Sequence, residues 1–394
     1  MVAEFLLSVI TGGGIMADRR HLCIVGGGIM GLAHAWLAAE NGWRATVFER
    51  GRIAEGASIR NFGMVWPVGQ PPGQPLATAL ASRRRWLTLA AEAGIRADPV
   101  GSIHIARQED EWAVLREFAE QGLELGYEVG LLSADEVHAR SPAAARGLIG
   151  GLWSGTELAV DPPAAVAGVA RWLAVAHGVE FHFGTAVSAV ETGCVRTADG
   201  RVWPCNRAVI CGGADFETLF PQVFAAATAA GLTRCKLQML STGPQPAGFR
   251  IGPHLAGGLT LRHYRAFEIC PSLEAVRLRV AAEAPELDRF GIHVMASQDA
   301  SGRVILGDSH EYDAGIAPFD SAEIERLILR ELEYLIALPE PTIDRRWHGV
   351  YAKYPAALQF AAEPLPEVWV RTGPGGAGMT LAFGLAEQDW CGAF

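Results

Sequence analysis

Residues 21–50 read HLCIVGGGIMGLAHAWLAAENGWRATVFER. A short apolar run, Leu22 to Val25, turns through Gly26, Gly27 and Gly28 into a segment whose apolar spacing (Leu32, Ala35, Trp36, Ala39) is that of a helix beginning near Ile29. A second apolar run, Ala45 to Phe48, ends on Glu49. Gly26, Gly28 and Gly31 complete the pattern G-x-G-x-x-G, and each has a separate task. Gly26 allows the tight turn, Gly28 lets the backbone touch a pyrophosphate, and Gly31 lets the helix lie close on the strand. The anion would then rest on the free N–H groups of the first helical turn, at Ile29 and Met30, where the helix dipole also favours negative charge. Glu49 lies where an acid can accept hydrogen bonds from both ribose hydroxyls. Strand, turn, helix, second strand and terminal acid all agree, so a bound dinucleotide is expected. A ligand-free unit of the same build is the alternative.

The motif alone does not separate FAD from NAD. The layout favours FAD, because two further polar, glycine-rich stretches, one directly after Glu49 and one at the far C-terminus, would enclose a cofactor between distant segments. In residues 49–75, ERGRIAEGASIRNFGMVWPVGQPPGQP, glycine and proline forbid a long helix, and Ser58, Arg60 and Asn61 supply donors. This loop is either a lid over the cofactor or an ordinary surface connection. In residues 368–390, VWVRTGPGGAGMTLAFGLAEQDW, a strand, a glycine turn and a helix close the first domain.

Between these ends, helical spacing runs from Leu76 to Ala93 and from Glu109 to Leu125, with GSIHIA a short strand between them. SADEVHARSP is a helix with Ser133 as N-cap, Glu136 three residues on, and Pro142 as its stop. Residues 151–192 return to strand, turn, helix, strand. Asp199-Gly200 marks a hairpin, and Gly212-Gly213 follows an apolar strand, the place where an open α/β sheet keeps its ligand crevice. From Cys235 to Val304 the chain reads as an antiparallel sheet, with KLQMLSTGP, GGLTLRHYRAF, LRVAAEAP, GIHVMASQ and GRVILGDSHEY as strands. A helix, Ser321 to Leu338, and a strand holding RRWHGVYAKY lead back. The fold expected is α/β: a discontinuous Rossmann-type FAD-binding domain (17–90, 150–230 and 345–394) with a second, α+β substrate domain on an antiparallel or mixed sheet (91–149 and 231–344). Residues 1–16 are expected to be a disordered extension, with Met16 an alternative start.

The 394 residues, half of them hydrophobic, carry a formal charge of −10. That suffices for a large core in two domains and argues against a nucleic-acid partner. The one basic run, Arg83, Arg84 and Arg85, is expected on a solvated helix face. Seven cysteines without C-x-x-C spacing read as free thiols in a reducing, cytoplasmic setting. The N-terminal EFLLSVI is too short to span a bilayer, and no membrane span is expected.

Together, residues 21–50, GVEFHFGTAVSAVET, AVICGGAD and VRTGPGGAGMTLAFGLAE resemble the FAD-dependent amine and amino-acid oxidoreductases of the D-amino-acid oxidase, glycine oxidase and sarcosine oxidase superfamily, over roughly residues 20 to 390. A narrower likeness lies in ASIRNFGMVWPVGQP, GPHLAGGLTLRHYRAFE, HVMASQDASGRVILGDSHEYD and RRWHGVYAKY, which look like the subgroup associated with phosphonate breakdown. The resemblance implies non-covalent FAD. Gly26, Gly28 and Gly31 would hold its pyrophosphate, Glu49 its ribose, and Arg50 the adenine edge or a phosphate. Val187 would meet the adenine through its backbone. Ser58, Asn61 and Gly63 would lie along the isoalloxazine. The turn of Gly375, Gly376, Gly378, Met379 and Thr380 would point N–H groups and a helix N-terminus at the pyrimidine end, favouring the reduced, anionic flavin. The implied reaction is hydride transfer from an amine α-carbon to flavin N5, followed by imine hydrolysis. No dedicated base is required, and O2 or an electron carrier would take the electrons.

One departure bears on the substrate. Relatives acting on α-amino acids tend to carry an arginine after a W-x-G-x pattern, to fork onto the carboxylate; here Trp347-His348-Gly349-Val350 is followed by Tyr351. Arg262, His263, Tyr264 and Arg265 offer a replacement for a tetrahedral dianion. Alternation along a strand would put Arg262 and Tyr264 on one face and His263 and Arg265 on the other. The competing account has Arg265 paired with a surface carboxylate and His263 a satisfied interior histidine. Lys353, His310 and Arg60 are further anion candidates. Trp66, Tyr264, Tyr312, Trp347 and Tyr351 are candidates to wall an amine pocket, and His293, on an apolar strand, reads as structural. The substrate class these imply is a small amine bearing a phosphonate: 2-aminoethylphosphonate or an N-alkyl derivative.

Overall fold

The computed structural model describes residues 20–313 and 315–392. The extension expected at 1–16, the start at Met16 and the EFLLSVI segment lie outside the described residues. Residues 21–50 fold as the strand His21–Val25, the helix Ile29–Glu40 and the strand Arg44–Glu49. The two strands run parallel, in register from His21 opposite Arg44 to Val25 opposite Phe48. They belong to a six-stranded sheet in the order Phe360–Leu365, Val368–Thr372, Arg207–Ile210, His21–Val25, Arg44–Glu49 and Glu180–Phe183, with His21–Val25 in its middle. Neighbours are parallel except for the first, antiparallel pair. From the central strand the chain crosses to one side, while Arg207–Ile210 lies on the other. The carboxyl end of His21–Val25 is therefore a topological switch point, where such sheets hold ligands.

The helices Ile29–Glu40, Gln74–Ala93, Pro162–His177 and Gly378–Cys391 pack one face of this sheet around aromatic side chains. Trp36 meets Trp172 and Phe383 edge-on, with centroids 5.0 and 5.4 Å away. Arg85 lies 4.7 Å over the Trp36 ring and pairs with both Glu40 and Glu387 at 2.5 Å, and Arg83 donates to the Thr156 carbonyl at 2.7 Å. The expectation of a solvated basic face is thus corrected. Two of these three arginines join segments far apart in the chain, because the guanidinium can stack and fork at once.

The second sheet has nine strands among the described residues. In order they are Glu311–Asp313, Thr233–Pro244, Arg303–Gly307, Met295–Gln298, His254–Ala256, Ser102–Ala106, Gly150–Ser154 and Val129–Ser133, with Ile343–Lys353 also paired to Thr233–Pro244. It is mixed, the one parallel pair being His254–Ala256 with Ser102–Ala106. The changes of unit expected at 150 and 345 fall on strands of this larger sheet. Ser133 caps the helix Ala134–Arg140 in a capping box with Glu136, as its spacing predicts. The Asp199-Gly200 hairpin forms between Cys194–Thr197 and Val202–Pro204, with Gly200 at φ +86°.

Two expected strands are not strands. Residues 257–267 form two 3-10 turns, Gly258–Arg262 and Arg265–Ile269, in which the Thr260 hydroxyl and the amides of Thr260 and His263 make local bonds that a sheet ladder would need. Residues 278–285 lie largely in the helix Leu273–Glu283, where Leu273, Val276 and Val280 share a buried face at helical spacing. The helix expected over 321–338 is Ala322–Leu332. All seven cysteines are free. Among the described residues, no helix is long and apolar enough to cross a membrane.

Candidate active site

At the switch point the glycines sit as their spacing predicts. Gly26 has φ +107°, and a Cβ there would run into the Cys211 carbonyl; a Cβ on Gly31 would collide with the Gly26 carbonyl oxygen. The helix Ile29–Glu40 starts on Gly28, which offers no capping side chain of its own, and has no acid in its first turn, so its N-terminal field favours an anion in the crevice. Glu49 stands on the rim: Oε2 accepts from the Gly27 amide at 2.9 Å and Oε1 from the Gly51 amide at 2.8 Å. The Ile29 amide, expected to be free for the pyrophosphate, is instead taken by Ser58 Oγ, which accepts from it at 3.0 Å and covers Gly28, with Met30 buried behind. On the opposite rim, Thr372 Oγ donates to the Gly213 carbonyl at 2.6 Å beside Gly212, and Arg50 pairs with Asp215 at 2.8 Å. Val187 is buried in the apolar cluster that includes Phe48 and Cys23. A helix N-terminus with no acid in its first turn, a cradle that a Cβ would fill and an acid at its edge are features that suit a dinucleotide.

The C-terminal turn faces the same space. Gly375–Ala377 is a 3-10 turn with Gly375 at φ +64°, and it leads into Gly378–Cys391, a second helix without a side-chain cap or an acid in its first turn. Its start is clamped. Thr380 Oγ accepts from the Trp66 amide at 2.9 Å, and the Met379 carbonyl accepts from the Trp86 indole at 2.8 Å. The loop 57–63 is folded by its own polar groups. Asn61 Nδ2 donates to the Ala57 and Ser58 carbonyls at 3.0 Å each, and its Oδ1 accepts from the Gly63 amide at 2.9 Å. Asn61, expected as a donor to the cofactor, spends its side chain on this turn, while Gly63, at φ +71°, abuts the Val160 carbonyl.

The two sheets meet here. The strand Ile343–Lys353 leaves the nine-stranded sheet and touches the C-terminal turn through a bridge from Lys353 to Pro374; a Cβ on Gly376 would lie 3.4 Å from the Tyr351 hydroxyl. Around Tyr351 lies a chamber of polar side chains from four segments. Lys353 Nζ donates to the Tyr312 hydroxyl at 2.8 Å. His310 lies between Tyr312 and Tyr351, with ring centroids 6.2 and 6.5 Å away. His263 and His293 stand 4.3 and 4.9 Å from His310 and 4.1 Å from each other. Tyr264, against His263, gives its hydroxyl to the Met295 sulfur at 3.2 Å and reaches Trp66 at 6.1 Å. The Asp308 carboxyl is 3.4 Å from His293 Nε2 and 4.0 Å from His310 Nδ1.

Burial sets the protonation of these groups. It pushes His310 down to about 4 and holds His263 and His293 well below the usual imidazole range. It raises Asp308 well above the carboxylate range, keeps Tyr264, Tyr312 and Tyr351 protonated, and lowers Lys353 from its ordinary value. Burial thus favours uncharged imidazoles and a protonated carboxyl around Lys353.

Not every candidate joins them as expected. Arg262, His263, Tyr264 and Arg265 do not alternate along a strand, since Arg262 ends one 3-10 turn and Arg265 begins the next. Arg262 pairs with Asp288, and Arg265 is exposed and pairs with Glu268 at 3.5 Å, the surface-carboxylate account. Arg60 and Trp347 lie beside the strand Ile343–Lys353: Arg60 Nη1 donates to the His348 carbonyl at 3.4 Å, and the Trp347 indole lies 3.5 Å from the Arg60 carbonyl. His293, expected to be structural, and Asp308, not singled out, are in the chamber. Neither ring nitrogen of His293, nor Asp308 Oδ1, has a hydrogen-bond partner among the described residues. The signal in the sequence was GDSHEY, an acid and a histidine two apart leaving an apolar strand.

A family model described as FAD dependent oxidoreductase matches residues 21–388. A glycine oxidase from Bacillus licheniformis is 28% identical over 219 residues, 53% of this chain and 58% of the relative, so the match spans less than two thirds of that protein. Among solved structures, glycine oxidase from Bacillus cereus ATCC 14579 superposes with a TM-score of 0.73 at 18% identity, over 94% of this chain and 96% of that one. L-alpha-glycerophosphate oxidase from Mycoplasma pneumoniae, with FAD bound, gives 0.71 at 17% identity over 94% of each chain. The match runs from the first strand through the C-terminal helix, the same two ends that form the crevice, and the chain belongs to the FAD dependent oxidoreductase family, with FAD as its cofactor.

Proposed function

We propose that the protein oxidises the C–N bond of a small amine carrying a phosphonate, 2-aminoethylphosphonate or an N-alkyl derivative, to an imine that water converts to phosphonoacetaldehyde and the free amine. When bound, FAD supplies the two-electron acceptor this oxidation needs, and O2 or an electron carrier then receives the electrons. In this division of labour the six-stranded sheet and its helices hold the cofactor, and the nine-stranded sheet holds the substrate. The seven free cysteines fit a cytoplasmic setting.

The observation that carries the substrate class is the chamber beside the C-terminal turn. At the strand position where α-amino-acid enzymes of this superfamily tend to fork an arginine onto a carboxylate stands Tyr351, backed by Lys353, Tyr312 and His310. A guanidinium fork serves carboxylate and phosphate alike, so the missing arginine removes the usual carboxylate clamp, and what remains, an ammonium ringed by separate donors, is a set that can hold a tetrahedral anion by its several oxygens. Trp66 and Tyr264 would wall the apolar side, and the chain's own residues would act by orienting the amine and excluding water.

The second reading, an α-amino-acid oxidase or dehydrogenase, is favoured by the likeness to glycine oxidase. Mixing the FAD-loaded protein anaerobically with 2-aminoethylphosphonate, its N-methyl derivative, glycine, sarcosine and D-alanine separates the two by which amine bleaches the flavin. Bleaching by glycine or D-alanine alone refutes the phosphonate reading, and bleaching by none favours an accessory, nonredox role.

A further inference from the structure

Three histidines from separate segments, the end of a 3-10 turn (His263), the approach to Met295–Gln298 (His293) and the exit from Arg303–Gly307 (His310), bring their rings within 4.1 to 4.9 Å of one another. Their nearest nitrogens all lie within 4.8 Å of one another. His293 and His310 are 3% and 6% exposed, too buried for their polar atoms to be satisfied by bulk water. Nδ1 of His293 nevertheless has no hydrogen-bond partner among the described residues, and its Nε2 meets only the Asp308 carboxyl, 3.4 Å away without hydrogen-bond geometry. Buried polar groups are almost always partnered, so a buried imidazole edge left open beside two further histidines marks a place for a ligand.

Two ligand classes suit three imidazoles, a metal ion and an anion. A metal needs ring planes that fan out so that in-plane lone pairs converge. Here His293 and His310 are stacked with planes 20° apart, and His263 is tilted by only 39° and 40° to them. Stacked rings instead present their N–H edges side by side, as a comb of donors that matches the separate oxygens of a tetrahedral anion.

Charge accounting sharpens this. The ionisable groups facing the triad are Arg262, Lys353, Asp308, the hydroxyls of Tyr264, Tyr312 and Tyr351, and the Cys235 thiol. Arg262 is neutralised by Asp288, and burial keeps Asp308, the tyrosines and Cys235 protonated. Lys353 is then the one uncompensated charge. The cluster opens to solvent at Tyr312, which is 46% exposed, but a dianion set against the buried imidazoles of His293 and His310 needs a second positive charge. His310 has its Nδ1 3.2 Å from the Gly291 carbonyl, which fixes that N–H, so Nε2 becomes a donor only when the ring gains a proton.

We propose that His263, His293 and His310, with Lys353, form the subsite that receives the phosphonate dianion, and that the triad takes up one proton as the anion binds. The inference rests on the phosphonate reading above and adds the residues that recognise the head group, His293 and Asp308 among them. Asp308, neutral, serves the anion as an O–H donor, so an amide can stand in for it.

The test is calorimetric titration of the FAD-loaded protein with methylphosphonate at alkaline pH, in two buffers of different ionisation enthalpy. The expected result is uptake of one proton per site. His293→Gln and His310→Gln should each weaken binding about tenfold to a hundredfold, the range for a hydrogen bond to a charged group, while Asp308→Asn binds nearly as the wild type does. FAD content and melting temperature report folding, and if one glutamine variant fails to load FAD, the other decides. Unchanged affinity in the glutamine variants overturns the subsite but leaves the phosphonate reading standing, provided the wild type oxidises the phosphonate amine. A wild type that neither binds methylphosphonate nor oxidises such an amine overturns that reading itself. One tightly held zinc ion per chain, displaced by a chelator and required for substrate binding, would make the triad a metal site and overturn the anion assignment.

Discussion

The histidines buried outside the chamber make the fold sensitive to mild acid by an amount that can be worked out. His104, on Ser102–Ala106, is fully buried against Trp66 and Phe267, at 5.4 and 5.1 Å, and neither ring nitrogen has a hydrogen-bond partner among the described residues. Burial lowers it to about 3, and lowers His34 and His254 to about 4. Unfolded, each titrates near the ordinary histidine value of about 6.5. Between these limits the unfolded chain binds the proton and the folded chain does not, so stability is complete above pH about 6.5 and falls as the pH drops toward the folded values. At pH 5 each such histidine costs about 2 kcal/mol, and the three together about 6, against the roughly 5–15 kcal/mol a folded protein has in total. His104→Leu keeps the apolar packing and removes one of the three. Urea midpoints of the FAD-saturated protein, read by tryptophan fluorescence at pH 7.5, 6 and 5, should show the variant losing about 2 kcal/mol less than wild type over that range. Parallel losses in the two proteins would mean that His104 either stays neutral in both states or is not dry, and would refute the argument.

Gly31→Ala would put a methyl group into the Gly26 carbonyl and separate the helix from its strand, so the protein should be purified with little or no flavin absorbance. Glu49→Gln keeps the shape but weakens two bonds to the Gly27 and Gly51 amides together with the expected ribose contacts. Its FAD affinity, measured by flavin fluorescence, should fall by about tenfold or more. Tyr351→Phe removes the hydroxyl beside the Gly376 turn, and kcat/KM for the phosphonate amine should drop by about tenfold while FAD content is unchanged. An unaltered kcat/KM would show that the hydroxyl does not face the substrate.

Much of the cofactor end was legible because its signals are local. Turn, helix start and terminal acid lie within residues 21–50, and Gly31 is required by the Gly26 carbonyl five residues away, although Gly26 itself is also pressed by the distant Cys211 carbonyl. The C-terminal turn was legible for the same reason. Asn61 shows the limit of such reasoning. Its side chain is a plausible donor to a ligand in sequence, but it closes its own loop, and only three-dimensional distances to Ala57, Ser58 and Gly63 distinguish the two uses. The run LRHYR failed differently, since alternating residues were assumed to belong to a strand, while the Thr260 hydroxyl and local amides close 3-10 turns instead. With the strand goes the shared face, and Arg262 and Arg265 turn to Asp288 and Glu268.

The chamber could not be read from spacing, because register assembles it. The strand Thr233–Pro244 pairs with Ile343–Lys353 on one side, and with Arg303–Gly307 and Glu311–Asp313 on the other, so Cys235 has Tyr351 opposite it in one neighbour and Tyr312 in the other. Lys353 and Tyr312, 41 residues apart, are thereby brought to 2.8 Å, with His310 carried in two residues before Tyr312. A slip of one residue in either pairing would turn Tyr351 or Tyr312 to the opposite face and dismantle the donor set. The same strand that carries Tyr351 ends on the Pro374 bridge. The position of Lys353, Tyr312 and His310 relative to the C-terminal turn is therefore fixed by backbone hydrogen bonds, and if these groups receive the anion as proposed, the length of amine that fits is a property of the sheet more than of any single side chain.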